Sequence, residues 1–262
     1  MNRESVLLLG GARALLLQLA HPLVAQGVAD HSDFLRAPLG RLRSTLDATY
    51  TVLFADPASV RRTARAVRRA HERVRGTLQH GTAAFPAGTA YRATDPELLL
   101  WVHASLVDSA LATYQTYVAR LSLRQRQAFY AQIGWLGRIF GVPEAQLPPT
   151  FEAFRHYLRD MLEGPMLEIT PTARQLADAV LHPPIAWVPR WIGDATGVLT
   201  LGLLPAELRE RYGFAWNRAH ARAFDAARAL LRRTLPLLPD ALRAVPQARR
   251  AERAGRGRAA RS

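Results

Sequence analysis

The chain has 262 residues, of which 49% are hydrophobic, so it can bury a large core and its composition is not that of a disordered protein. It contains no cysteine, which excludes disulfides, thiolate metal ligands and cysteine nucleophiles. All 35 basic residues are arginine, which excludes lysine catalysis, and 21 acidic residues leave a formal net charge of +14.

Helical periodicity dominates the chain. It predicts helices over about 4–28, 40–54, 57–76, 95–120, 122–139, 150–163, 171–180, 205–233 and 236–245. Two further segments, 77–91 and 182–191, are rich in glycine or proline and are predicted to be loops. We therefore expect one all-α domain over residues 1–245 and a disordered tail rich in arginine and alanine over 246–262.

The first apolar run, VLLLGGARALLLQLAHPLVAQGVA, is long enough to cross a bilayer, but Arg13, Gln18 and His21 interrupt it. An arginine at the bilayer centre is costly, so we interpret the run as a buried helix of a soluble core. Association with a membrane surface stays open but is not predicted. No secretory signal is evident, and we expect a cytoplasmic protein.

The positive charge is concentrated in the tail and in the segment PASVRRTARAVRRAHERVRG, which starts at Pro57. Arginines on the solvated face of a helix explain this pattern better than a surface that follows phosphates. We therefore expect no specific nucleic-acid partner.

Three histidines lie on apolar helical faces: His21, His71 and His103. His71 completes a stripe formed by Val60, Ala64, Val67 and Val74. An inward imidazole can bind a metal or a haem iron, or it can be an ordinary core histidine with a hydrogen-bond partner. Spacing leaves both interpretations open.

A second pair, Arg41 and Thr45, is four residues apart and shares one helix face. A guanidinium and a hydroxyl there can orient a bound oxygen or a substrate carbonyl. The alternative is an ion pair beside a threonine that bonds its own helix. The signatures Gly-x-Ser-x-Gly and His-Glu-x-x-His and a phosphate loop with lysine are absent from the sequence.

Four segments in order, GGARALLLQLAHPLVAQGVADHSDF, PLGRLRSTLDATY, AHERVRG and YRATDPELLLWVHASLVDS, resemble the MpaB-type oxygenase family, which shares its catalytic domain with the latex-clearing rubber oxygenases. The resemblance covers roughly residues 3–230. It implies an all-helical fold with a globin-like core around a non-covalent b-type haem.

The resemblance also implies roles for residues. His71 matches the proximal iron ligand of the rubber-cleaving relatives, and Arg41 and Thr45 match their distal arginine and threonine. Arg68 and Arg75 match the arginines three before and four after the ligand, where they can pair with haem propionates.

Some positions depart from the family pattern. Ser44 stands where the relatives have a lysine, and no upstream glutamate matches their proposed base, so the substrate or the chemistry differs from that of rubber cleavage. His103 is the rival axial ligand, and His21 or His31 is an alternative group on the distal side.

Three hypotheses follow. The first is a haem-b oxygenase or oxidoreductase that acts on a small apolar, alkene-containing substrate with dioxygen, with or without a redox partner. The second is a non-catalytic haem carrier or sensor of the same fold, with six-coordinate iron and His21, His31 or His103 as second ligand. The third is a basic helical protein that binds nucleic acid or anionic membranes, in which His71 has no role.

Overall fold

The computed structural model describes residues 1, 3–32, 38–182 and 190–259, except for the side chains of 38, 39, 41–43, 190–194 and 253–259. The helices, in chain order, are α1 (Gly10–Leu19), α2 (Pro22–His31), α3 (Pro38–Phe54), α4 (Pro57–Glu72), α5 (Pro96–Tyr117), α6 (Leu123–Ile133), α7 (Leu136–Ile139), α8 (Phe151–Glu163), α9 (Pro171–Leu181), α10 (Arg190–Leu203), α11 (Ala206–Tyr212), α12 (Arg218–Thr234), α13 (Asp240–Arg243) and α14 (Pro246–Ala259). Short 3-10 helices cover Ser5–Leu9, Glu144–Gln146 and Leu235–Leu237. The prediction of an all-α protein is confirmed.

The core is built around α5, which packs against α1, α6, α7, α10 and α12. Its side chains Trp101 and Tyr117 are fully buried. The indole of Trp101 donates a hydrogen bond to the Leu17 carbonyl at 3.1 Å, and this bond joins α5 to α1. Asp95 caps α5 by accepting a hydrogen bond from Glu97 N, and Pro96 follows it, as the sequence predicted.

The N-terminal segment is not the single helix predicted over 4–28. It consists of the 3-10 helix Ser5–Leu9, then α1, then α2, and the axis bends by 107° between Leu19 and Pro22. His21 is extended at this bend, with φ −85° and ψ 118°. The bend has a local cause, because Pro22 has no N–H and cannot continue the hydrogen bonds of α1.

Two other predicted helices are also divided. The 122–139 prediction becomes α6 and α7, and the 205–233 prediction becomes α11 and α12. Gly213 ends α11 in the left-handed region, at φ 77°. The helix α10 was not predicted; it starts at Arg190, within the segment that was expected to be a loop.

A small antiparallel sheet replaces the end of the helix predicted over 57–76. The strands β1 (Arg75–Thr77) and β2 (Ala90–Arg92) pair with Gly76 opposite Tyr91. Three residues per strand are too few to give a visible alternation of polar and apolar side chains. The turn residues between the strands were correctly expected to lack helix.

Residues 246–259 of the tail form α14. Val245 and Ala248 are buried and form a small core with Tyr50 of α3. These two apolar residues bind the start of the segment to the domain in spite of its arginine content.

Within the described part of the chain, no single helix is long and apolar enough to span a membrane; one bent pair, Ser5–Leu19 with Pro22–His31, meets the criteria of length and composition.

Candidate functional site

The helices α3 and α4 form a hairpin that carries the predicted site residues. Asp56 caps α4 by accepting hydrogen bonds from Ala58 N and Ser59 N, each at 3.0 Å, and the linker to α3 is only Ala55 and Asp56. Arg41 lies 14 residues before Ala55, and His71 lies 15 residues after Asp56. At 1.5 Å rise per residue both positions are about 21–23 Å from the linker along their helices. The hairpin therefore places the two positions at equal distances from its turn.

The α4 helix lies on the surface of the domain, and none of its side chains is fully buried. The predicted stripe of Val60, Ala64, Val67, His71 and Val74 is half-buried, whereas the arginines of the helix are exposed. The inward direction predicted for His71 is thus correct in part: its face contacts protein, but it is not enclosed by the core. Arg68 is exposed beside it.

The two predicted partners on α3 are described to different extents. Thr45 is half-buried, and the hydroxyl of Thr49 donates a hydrogen bond to its carbonyl oxygen at 2.8 Å. The backbone of Arg41 is helical, but its side chain lies outside the described part of the structure. The structure therefore fixes the position of Arg41 on α3 and not the direction of its guanidinium.

The C-terminal end of α4 is anchored by backbone hydrogen bonds. Val74 N donates to the His71 carbonyl at 3.0 Å, and Ala93 N donates to the Val74 carbonyl at 2.9 Å. The ring Nε2 of His31, at the end of α2, lies 2.9 Å from the Arg75 carbonyl oxygen. Arg75 is an exposed residue of strand β1. The helix predicted over 57–76 would have placed Arg75 on the same face as His71, and the structure does not. His71 sits one turn before an anchored segment.

Tyr91 supports this anchor and was missed by the sequence analysis. Its hydroxyl donates a hydrogen bond to the Asp30 carboxylate at 2.6 Å, and Gln26 donates to the other oxygen of Asp30 at 2.9 Å. Burial and the bond to Asp30 raise the pKa of Tyr91. A Cβ on Gly76 would lie 2.7 Å from the Tyr91 hydroxyl oxygen, so glycine is required for this contact. A tyrosine inside a glycine-rich loop gave no signal of this role.

His103 and His21 are much more deeply buried than His71, at 7% and 2% exposure. Burial lowers the pKa of each to about 4, so both rings are neutral at pH 7. The ring of His103 packs against α7, where a Cβ on Gly137 would lie 3.2 Å from its Cδ2. The ring of His21 lies 5.3 Å from that of Phe85. Within the described residues, His103 Nε2 and His21 Nδ1 have no hydrogen-bond partner.

Other parts of the described fold offer grooves but no metal-binding cluster. The described residues contain no cluster of three or more histidine, aspartate or glutamate side chains that could hold a metal ion. An open groove of about 590 Å³ lies between α6, α7 and the start of α8. A smaller one of about 370 Å³ is lined by Ala83, Gly164, Pro165, Leu167, Glu168, Ile169 and Arg211. Neither groove is lined by His71, Thr45 or His103.

A comparison with protein families identifies the chain. Residues 1–233 match the family described as ER-bound oxygenase mpaB/B′/Rubber oxygenase, catalytic domain. The chain belongs to this family. The match confirms the resemblance inferred from the four sequence segments, and its limits agree with the range of 3–230 given there.

Membership of the mpaB and rubber oxygenase family assigns the chain a general role as an oxygenase, an enzyme of the oxidoreductase class. The family region includes every predicted site residue, from His21 to His103. It ends inside α12, so the last described helices lie beyond it. Neither the curated proteins nor the solved structures contain a match to the chain.

Proposed function

We propose that the chain is a haem-b-dependent oxygenase that acts on a small apolar, alkene-containing substrate with dioxygen. The observation that carries the proposal is the position of His71, half-buried on the apolar stripe of α4 in a domain whose residues 1–233 match an oxygenase family. A cytoplasmic location and the use of a redox partner belong to this proposal on the strength of the sequence alone.

The residues around His71 suit a haem. A haem iron needs only one protein ligand, and a neutral imidazole is a good one, so a cluster of three ligands is not required. The exposed guanidiniums of Arg68 and Arg75, three before and four after His71, have the charge and hydrogen-bonding geometry that propionates require. A porphyrin face could contact the half-buried stripe without displacing a fully buried side chain of α4, because α4 has none.

His103 suits a haem less well. The backbone of Gly137 lies directly against its ring, and the ring is enclosed by the core formed by α5 and α7. A porphyrin on that side would have to displace α7. His31 is engaged with the Arg75 carbonyl. These contacts count against His103 and His31 as iron ligands.

The protein's own groups have two tasks in this proposal. When bound, the haem iron supplies the chemistry of dioxygen. Arg41 and Thr45 donate hydrogen bonds that stabilise negative charge developing on the oxygen substrate. The valines of α4, on the same helix face as His71, contact the porphyrin and exclude water around the ligand. No lysine is available for any of these tasks.

The test is an absorption spectrum of the purified protein after haem supplementation, for wild type, His71→Ala and His103→Gln. We expect a Soret band in wild type and in His103→Gln and its loss or a strong shift in His71→Ala, with circular dichroism unchanged. His156→Ala, an exposed histidine on α8, is the matched control and should behave as wild type.

Two outcomes would contradict the proposal. A folded wild-type protein that takes up no haem would remove the cofactor from it. Loss of the Soret band in folded His103→Gln, with the band retained in His71→Ala, would move the ligand to α5. Oxygen consumption with simple apolar alkenes, compared between wild type and His71→Ala, then tests the oxygenase activity itself.

A further inference from the structure

Exposed leucines are concentrated in one corner of the molecule. Six large apolar side chains are exposed in the described part of the chain, and five of them form what we call the leucine patch: Leu8 at 40%, Leu230 at 62%, Leu237 at 82%, Leu238 at 37% and Leu242 at 64%. The sixth, Leu123 at 50%, lies apart on α6. Single exposed leucines are normal on protein surfaces, but a group of this size indicates an interaction site.

The end of α12 and the 3-10 helix that follows it contribute three residues of the patch, Leu230, Leu237 and Leu238. Helical backbone continues from α12 through Leu235 into the 3-10 helix Leu235–Leu237. Leu230 and Leu237 are seven residues apart and so lie on one face of this helical stretch. Leu231 and Leu235, on the other face, pack into the core with Tyr117. The chain thus separates a buried leucine face from an exposed one.

The N-terminal 3-10 helix brings Leu8 to the same corner. The hydroxyl of Ser5 donates a hydrogen bond to the Leu242 carbonyl of α13 at 2.8 Å. Residues three apart lie on the same side of a 3-10 helix, so Leu8 is on the side of Ser5 and faces α13. Val245 N also donates to the Arg3 carbonyl at 2.8 Å. Hydrogen bonds therefore join the N-terminal segment of the patch to its C-terminal segment.

Arginines surround the patch and exceed the acidic residues there. The carboxylates nearby are all paired with arginine: Asp240 with Arg3 at 2.7 Å, Glu252 with Arg3 at 3.4 Å and Glu4 with Arg243 at 2.9 Å. Arg233, Arg249 and Arg250 add positive charge to this rim. Arg233 lies three residues after Leu230 and four before Leu237, on the same exposed face.

We propose that the leucine patch docks the protein on an anionic lipid bilayer, with the leucines inserted below the headgroups and the arginines in contact with them. Leu237, at 82% exposure, projects into solvent. A projecting leucine suits a fluid bilayer, which needs no complementary surface, better than it suits a folded protein partner. The surplus of arginine matches the charge of anionic headgroups.

The docking site is separate from the α4 site. The first residue of α5 lies near β2, since Asp95 N bonds to the Arg92 carbonyl, and its last residue, Tyr117, packs beneath the patch. The 22 residues of α5 make it about 33 Å long. Vesicle binding can therefore be measured without haem, and its result does not depend on the proposed function.

The test is flotation of the full chain with vesicles of phosphatidylcholine alone or mixed with phosphatidylglycerol. We expect wild type to float with the mixed vesicles and much less with phosphatidylcholine alone. Leu237→Gln/Leu242→Gln should weaken binding by about tenfold or more, because two apolar contacts with the bilayer are lost. Leu123→Gln, which replaces an exposed leucine outside the patch, should bind as wild type. Arg233→Gln/Arg250→Gln should weaken binding to the mixed vesicles only.

The proposal is overturned if wild type binds neither kind of vesicle, or if Leu123→Gln and Leu237→Gln/Leu242→Gln weaken binding equally. Light scattering after size-exclusion chromatography distinguishes vesicle docking from the main alternative, a dimer formed through the leucine patch. A wild-type dimer that Leu237→Gln/Leu242→Gln converts to a monomer, without vesicle binding, would assign the patch to a second copy of the chain.

Discussion

The guanidinium of Arg13 lies 2.6 Å from the carboxylate of Asp108 and joins α1 to α5 inside the protein. The side chain of Arg13 is 5% exposed, and it also donates hydrogen bonds to Ser109 Oγ and to the Leu203 carbonyl, each at 2.7 Å. One arginine thus connects α1, α5 and α10. A buried charge is tolerated only when it is paired in this way.

Replacement of Arg13 by alanine should destabilise the fold strongly. It leaves the largely buried carboxylate of Asp108 without its cation, and breaking such a pair costs about 3–5 kcal/mol. Urea unfolding followed by circular dichroism measures this loss. The control is Glu144→Ala, which removes the surface pair of Arg138 and Glu144 and should cost less than about 1 kcal/mol. Equal losses in the two variants would contradict the central role of Arg13.

Acid should destabilise the protein through its buried histidines. The folded-state pKa of His21 and of His103 is about 4, below the ordinary 6.5, so the unfolded chain takes up protons first as the pH falls. Their contribution to stability is complete above about pH 6.5 and is lost progressively down to about pH 4. We expect His103→Gln to reduce the drop in unfolding free energy between pH 7 and pH 5 by about 2 kcal/mol.

Urea unfolding at the two pH values tests this expectation. His156→Gln, an exposed residue on α8, should keep the pH dependence of wild type. A His103→Gln variant whose stability falls with pH as steeply as that of wild type would show that burial does not lower the pKa of His103 in the folded protein.

Alanine at Gly76 should destabilise the hairpin that follows α4. The new methyl group would lie 2.7 Å from the hydroxyl oxygen of Tyr91, which cannot move away without breaking its bond to Asp30. We expect a loss of about 1–3 kcal/mol in thermal or urea unfolding. Gly197→Ala in α10 is the opposite case, since nothing lies within 4 Å of the added Cβ, and it should stabilise by up to about 1 kcal/mol. A neutral Gly76→Ala would mean that Tyr91 is not held as described.

The arginines beside His71 should affect haem retention. If Arg68 and Arg75 pair with propionates, alanine at either position should speed haem transfer to apomyoglobin by roughly threefold to tenfold, the effect expected for a partly exposed ion pair. Arg61→Ala and Arg65→Ala remove exposed arginines of the same helix and serve as controls. Equal effects at all four positions would indicate a general loss of positive charge.

Periodicity predicted the burial of His103 and His21, because a histidine on an apolar stripe follows its neighbours into the core. It did not predict the role of Arg13, which interrupts an apolar run and whose partner is 95 residues away. It also did not predict that Arg75 is in a strand, because that depends on pairing with Ala90–Arg92, which is a tertiary contact. Local signals such as Asp56-Pro57 gave helix starts, and long-range contacts decided where the helices end.

No side chain of α4 is fully buried, and its far end is held by the strand pairing, so the core of the domain does not depend on what lies beside this helix. If His71 holds a haem as proposed, chains without the haem should still fold and should accumulate as stable molecules that can take it up.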